Sequence, residues 1–164
     1  IYTKAFAYGA LGAFFITILL AGMRWTGLTQ FNFSVFLGSM LTRDFTLTTW
    51  AIGAIWHLLN GGLFGLIYCW IFKKSSGAGA GRGVMLGFVH WLAFALFMAF
   101  SPAIHPLIPS EIAEPGFFAI NYGGLTAIIL LGLHLIFGYI VGNGLEGKLP
   151  FKKRPRPYIP RRYA

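Results

Sequence analysis

The chain has 164 residues, of which 57% are hydrophobic and only 10% charged, against about a quarter charged in soluble domains. Its mean hydropathy is +0.70 and its formal net charge is +9. These values exclude an ordinary soluble domain, and the lone cysteine, Cys69, excludes an intrachain disulfide and a cysteine-based zinc site.

The first apolar run, residues 5–22, is just long enough to cross a bilayer, which takes about 20 helical residues. A signal peptide is the competing reading, but only Lys4 precedes the run and no clear small-x-small cleavage site follows it. Residues 26–46 are mixed and too short to span, so an interfacial or re-entrant segment is expected between the first two helices. The second span is expected over residues 48–72, stopped by Lys73 and Lys74. A Gly/Ser-rich linker follows, and the third span runs over 82–101 to Pro102. A loop with Pro102, Pro106, Pro109 and Pro115 leads to a fourth span over 117–142. The expected fold is therefore an all-α integral membrane protein, a four-helix domain over residues 1–145 with a basic, Pro-rich tail over 146–164.

Orientation follows from the distribution of Lys and Arg. Four spans place the N-terminus, the 73–82 linker and the tail on one side, with Lys4, Lys73, Lys74, Arg82, Lys148 and the cations of the tail. The other side holds Arg24 and Arg43, with Asp44, Glu111 and Glu114. Both termini are expected in the cytoplasm, across a bacterial inner membrane. In the tail, Lys152, Lys153, Arg154, Arg156, Arg161 and Arg162 form an arm for anionic lipid or an acidic partner subunit. Nucleic acid is not expected, because no aromatic platform accompanies the charge.

The spans contain no internal Asp or Glu, and no phosphate loop, nucleophile elbow or HExxH occurs, so no enzyme is expected. They do contain His57, His90 and His134. Polar groups at that depth face protein or water. Helical rise puts His90 and His134 at one level, roughly 12 Å from a membrane surface, with His57 at another. Such a pair could hold a haem iron and a single histidine a chlorophyll magnesium; interhelical hydrogen bonding is the plainer alternative. No cofactor is firmly indicated. His105, Glu111 and Glu114 are close enough in sequence for a carboxylate–histidine site, although solvated loop residues explain them more simply.

Gly61, Gly65, Gly83, Gly87, Gly138 and Gly142 form small-residue rows for close helix packing, either within the bundle or against another subunit. The halves share a spacing, His57-x3-Gly61-x3-Gly65 and His134-x3-Gly138-x3-Gly142. It suggests a direct duplication, but glycine is so common here that coincidence is the simpler account.

The pattern Gly38-Ser39-Met40-Leu41, then Trp50-x2-Gly53-x3-His57-x3-Gly61-x2-Phe64-Gly65-x2-Tyr68, with Gly83-x3-Gly87-x2-His90 and His134-x3-Gly138, resembles small uncharacterised bacterial inner-membrane proteins of the YagU-like kind. The resemblance covers residues 38–142 and implies a multi-span protein with no known reaction. The leading functional expectation is a non-catalytic accessory subunit docked on a larger membrane complex, with lipid and other membrane subunits as partners. A haem- or chlorophyll-binding subunit for electron transfer or light harvesting is the alternative. A small channel or transporter lined by Asn60, Asn121, Thr126 and the histidines comes third.

Overall fold

A computed structural model describes residues 1–75 and 77–149. The tail cations from Lys152 to Arg162 lie outside the described residues. Among the described residues five α-helices form: α1 (Tyr2–Trp25), α2 (Phe33–Thr42), α3 (Leu47–Lys74), α4 (Ala80–Phe100) and α5 (Thr126–Leu145). Four of them, α1, α3, α4 and α5, are long and apolar enough to cross a membrane. The fourth begins later than expected. Residues Phe117–Tyr122 form an irregular 3-10 turn, with Phe118 and Ala119 at positive φ, and α5 starts only at Thr126.

The shorter helix α2 is capped by Asn32, whose side chain accepts from Val35 N at 3.1 Å. This satisfies one of the amides that a helix start leaves open. Thr46 caps α3 in the same way, accepting from Thr49 N. Between the two helices, Asp44 takes hydrogen bonds from the Thr42, Thr46 and Thr49 hydroxyls and from Thr46 N. These donors hold its carboxyl below the ordinary carboxylate range, the Thr49 hydroxyl contributing most.

The spans pack as two close pairs, α1 on α3 and α4 on α5, joined through α1 and α5. Glycine makes each pair possible. A methyl at Gly9 would meet Gly65 Cα at 2.9 Å and run into the Gly61 carbonyl; a methyl at Gly83 would meet Gly142 Cα at 2.9 Å and run into the Gly138 carbonyl. The two halves thus repeat one contact, Gly9 with Gly61 and Gly65, Gly83 with Gly138 and Gly142. This matching, which spacing alone left to coincidence, gives the direct duplication a structural basis. A third close approach, Gly38 of α2 against Gly53 of α3, seats the short helix on its neighbour. All six glycines singled out in the sequence pack inside the bundle.

One end of the bundle carries Lys73, which donates to Tyr2 Oη at 2.9 Å, and Lys148, which donates to Tyr8 Oη at 2.7 Å. The connections at the other end are stitched together. Gln30 N donates to the Tyr122 carbonyl at 2.9 Å, and the Thr29 and Thr126 hydroxyls pair at 2.7 Å.

Candidate functional site

His57, His90 and His134 line a single chamber of about 290 Å³ at the centre of the bundle. The level expected for His90 and His134 is met: their rings lie edge to face with centroids 4.9 Å apart. His57 joins them, although its distance from Lys73 and Lys74 put it at another depth. The reason is the length of α3. His57 and His134 stand at matching places before their packing glycines, but α3 continues well past Gly65 to Lys74, whereas α5 ends at Leu145, shortly after Gly142. Measuring depth from the lysines counts that overhang as membrane.

Each imidazole is braced by a phenylalanine. His57 meets Phe33 edge to face at 4.9 Å, His90 stacks on Phe64 at 3.8 Å, and His134 leans on Phe94 at 5.2 Å. Phe33 comes from α2, so the short helix supplies a wall of the chamber. Isolated residue spacing gives no sign of these contacts; they depend on how α2 folds back on α3.

The hydrogen bonds fix which ring nitrogens are free. The Thr17 hydroxyl donates to the Ala13 carbonyl at 2.9 Å and has no second proton. With its proton assigned to Ala13, the hydroxyl accepts at 2.9 Å from His57 Nδ1, which assigns the ring proton to Nδ1. His134 Nδ1 lies 2.7 Å from the Leu130 carbonyl, which can only accept, so this Nδ1 is protonated too. In both neutral rings Nε2 is left with a lone pair. Neither Nε2 has a hydrogen-bond partner among the described residues, and neither is sealed from the chamber. The Asn60 amide also lines the chamber without a partner among the described residues. His90 differs, since its Nδ1 is buried without a partner.

His105 is organised in the opposite way. It is 3% exposed. Its Nε2 donates to the Phe36 carbonyl at 2.9 Å and its Nδ1 accepts from Leu107 N at 3.2 Å. Nε2 ties the 101–116 connection to α2, Nδ1 is spent within the connection, and no lone pair remains for a metal. Among the described residues, no three His, Cys, Asp or Glu side chains are placed to hold a metal ion, so His105, Glu111 and Glu114 do not form a ligand cluster.

The chamber does not fit a tetrapyrrole held between His90 and His134. Two imidazoles on opposite sides of one iron stand about 6 Å apart at their ring centres, given metal–nitrogen bonds of about 2 Å. The 4.9 Å edge-to-face contact leaves no such gap. The volume, about 290 Å³, is at the lower end of the range for drug-sized ligands.

A second cavity of about 210 Å³ adjoins the first and shares Leu20, Phe33 and His57 with it. Its remaining lining is more polar and includes Arg24, Asn32 and Ser34. Of the other residues expected to line a pore, Asn121 donates to the Glu114 carbonyl and Thr126 pairs with Thr29, both away from the chamber. No family model, curated protein or solved structure matches this chain.

Proposed function

We propose that the protein is a non-catalytic binding subunit of a bacterial inner membrane, with both termini cytoplasmic, that holds a small molecule in its central chamber. One observation carries this reading: two imidazole lone pairs and an amide, from α3 and α5, line one apolar cavity without partners among the described residues. Unpaired polar groups inside a membrane protein are costly. His57 does bond a neighbouring helix, Nδ1 to the Thr17 hydroxyl of α1, but its Nε2 and that of His134 stay unspent among the described residues, whereas His105 uses both ring nitrogens.

Docking on a larger assembly has less support. The glycine rows that would form a docking face are occupied by α1–α3 and α4–α5 packing. The outward faces of α3 and α4, with Leu63, Ile67, Met85 and Leu96, suit lipid chains equally well. A pore is also less well supported, since Asn60 is the one polar residue proposed for it that joins the histidines.

Thermal stability of the protein in mild non-ionic detergent, measured against a panel of small neutral ring compounds, tests the binding reading. Ala93 lines the chamber yet is exposed, so Ala93→Trp should fill the space without disrupting the core. Saturable stabilisation of the wild type that disappears in Ala93→Trp is the expected result. A panel with no stabilising compound, or stabilisation that persists in Ala93→Trp, would overturn the proposal.

A further inference from the structure

We propose that the ligand of the chamber is a neutral, membrane-soluble phenolic ring, bound through its hydroxyl rather than through a carbonyl or as a metal ion. The inference rests on the binding reading above and adds the chemistry of the ligand.

The size and walls fit a ring. An engineered cavity of about 150 Å³ accommodates benzene, so about 290 Å³ leaves room for a ring with substituents. The walls are mostly Phe, Leu and Ile, and aromatic groups gain from edge-to-face and offset contacts with Phe64 and Phe94. Access also fits. The helices α3 and α4, on either side of the chamber, do not form a close-packed pair, and Ala93 of α4 is exposed while lining it. A ligand dissolved in the bilayer can arrive sideways between them.

The polar groups decide the chemistry. His57 Nε2 and His134 Nε2 are acceptors because both Nδ1 protons are committed to Thr17 and Leu130. A ligand must bring a donor to satisfy either of them, and one hydroxyl proton satisfies one. A carbonyl or an ether brings none and would leave the lone pairs desolvated and unpaired. A phenolic hydroxyl donates to an imidazole and can accept from the Asn60 amide in return. A metal ion would also use the lone pairs, but no carboxylate among the described residues lines the chamber to offset its charge, and the adjoining cavity contains Arg24. A dication there would be buried without neutralisation.

Isothermal titration of the full chain in detergent with 4-propylphenol and with its methyl ether, 4-propylanisole, tests the proposal. The phenol should bind at least about tenfold more tightly than the ether, a difference of about 1.4 kcal/mol. Because the hydroxyl has one proton, the preference should fall in His134→Phe or in His57→Phe, whichever ring accepts it, with ether binding within about twofold, and an unchanged preference in both would overturn the assignment. Because a bulky replacement can unfold the protein, His134→Gln provides a second variant. Its amide can accept a hydrogen bond, and it should retain part of the preference. Equal binding of phenol and ether would overturn the phenolic assignment and leave the chamber reading standing; binding of neither would remove both. Zinc binding in the micromolar range that is lost in the same histidine variants would overturn the assignment in favour of a metal.

Discussion

Four histidines in one chain illustrate how hydrogen-bond context sets a residue's role. His105 uses both ring nitrogens on backbone groups, so its removal strands the buried Leu107 amide, while the Phe36 carbonyl keeps the Ser39 hydroxyl. Leaving such a group unsatisfied costs about 1–3 kcal/mol. His105→Ala should therefore lower the thermal midpoint clearly without affecting ligand binding, whereas His134→Gln should do the reverse; midpoint and affinity measured on the same preparations check this. Asp44 gives a pH signature at the same scale. Its folded carboxyl lies below the ordinary value of 3.8 because hydroxyl and amide donors favour the charged form. The sign follows by linkage: the contribution to stability is fully present above 3.8 and is lost as pH falls through the depressed folded value. Asp44→Asn should remove this dependence, so any advantage of the wild type over the variant in thermal stability should shrink as pH falls below 3.8.

At the scale of helices, backbone proximity replaces side-chain interlock. Gly83 and Gly138 approach so closely that neither has room for a methyl group. Small-to-large changes in a packed core cost about 1–3 kcal/mol, occasionally more, so Gly83→Ala and Gly138→Ala should each destabilise the α4–α5 pair. Gly132 lies on the same helix as Gly138 with nothing within 4 Å of an added methyl. Gly132→Ala should be neutral or slightly stabilising, since alanine is the better helix former by roughly 0.5–1 kcal/mol. Melting of the three variants in one detergent separates packing from propensity. This contrast also marks what could be read in the residue order. Four apolar lengths fix four helices, and the spacing of Gly61, Gly65, Gly138 and Gly142 identifies the close faces. Spacing alone cannot show which helix fills each face, although Ala5-x3-Gly9-x3-Ala13 is a small-residue row of its own, and its Ala13 methyl and Ala5 carbonyl are what Gly61 and Gly65 meet. Nor could it show the start of α5, since Phe117–Tyr122 is as apolar as a helix turn and departs from helical geometry only at Phe118 and Ala119. The place of His57 in the chamber was obscured by the overhang of α3.

For the molecule as a whole, the proposed sidedness rests on the gathering of lysines at one end of the bundle. Lys73 and Lys148 meet Tyr2 and Tyr8 at the end of the bundle that holds the N-terminus, and tyrosine and lysine are typical of the membrane–water boundary. Lys4 and Lys74 share that end, while Asp44, Glu111 and Glu114 sit in the connections at the opposite one. An excess of Lys and Arg resists translocation, so the lysine end should remain in the cytoplasm. Cysteine labelling suits this chain because its one native cysteine, Cys69, is fully buried and should be silent. A cysteine introduced by Ser110→Cys should react with a membrane-impermeant maleimide in intact spheroplasts, and one introduced by Lys74→Cys only after permeabilisation. The reverse pattern would invert the protein in the membrane. Reaction of both in intact spheroplasts would mean that the helices between them do not span a bilayer, and a chamber supplied from the lipid would then lose its physical basis.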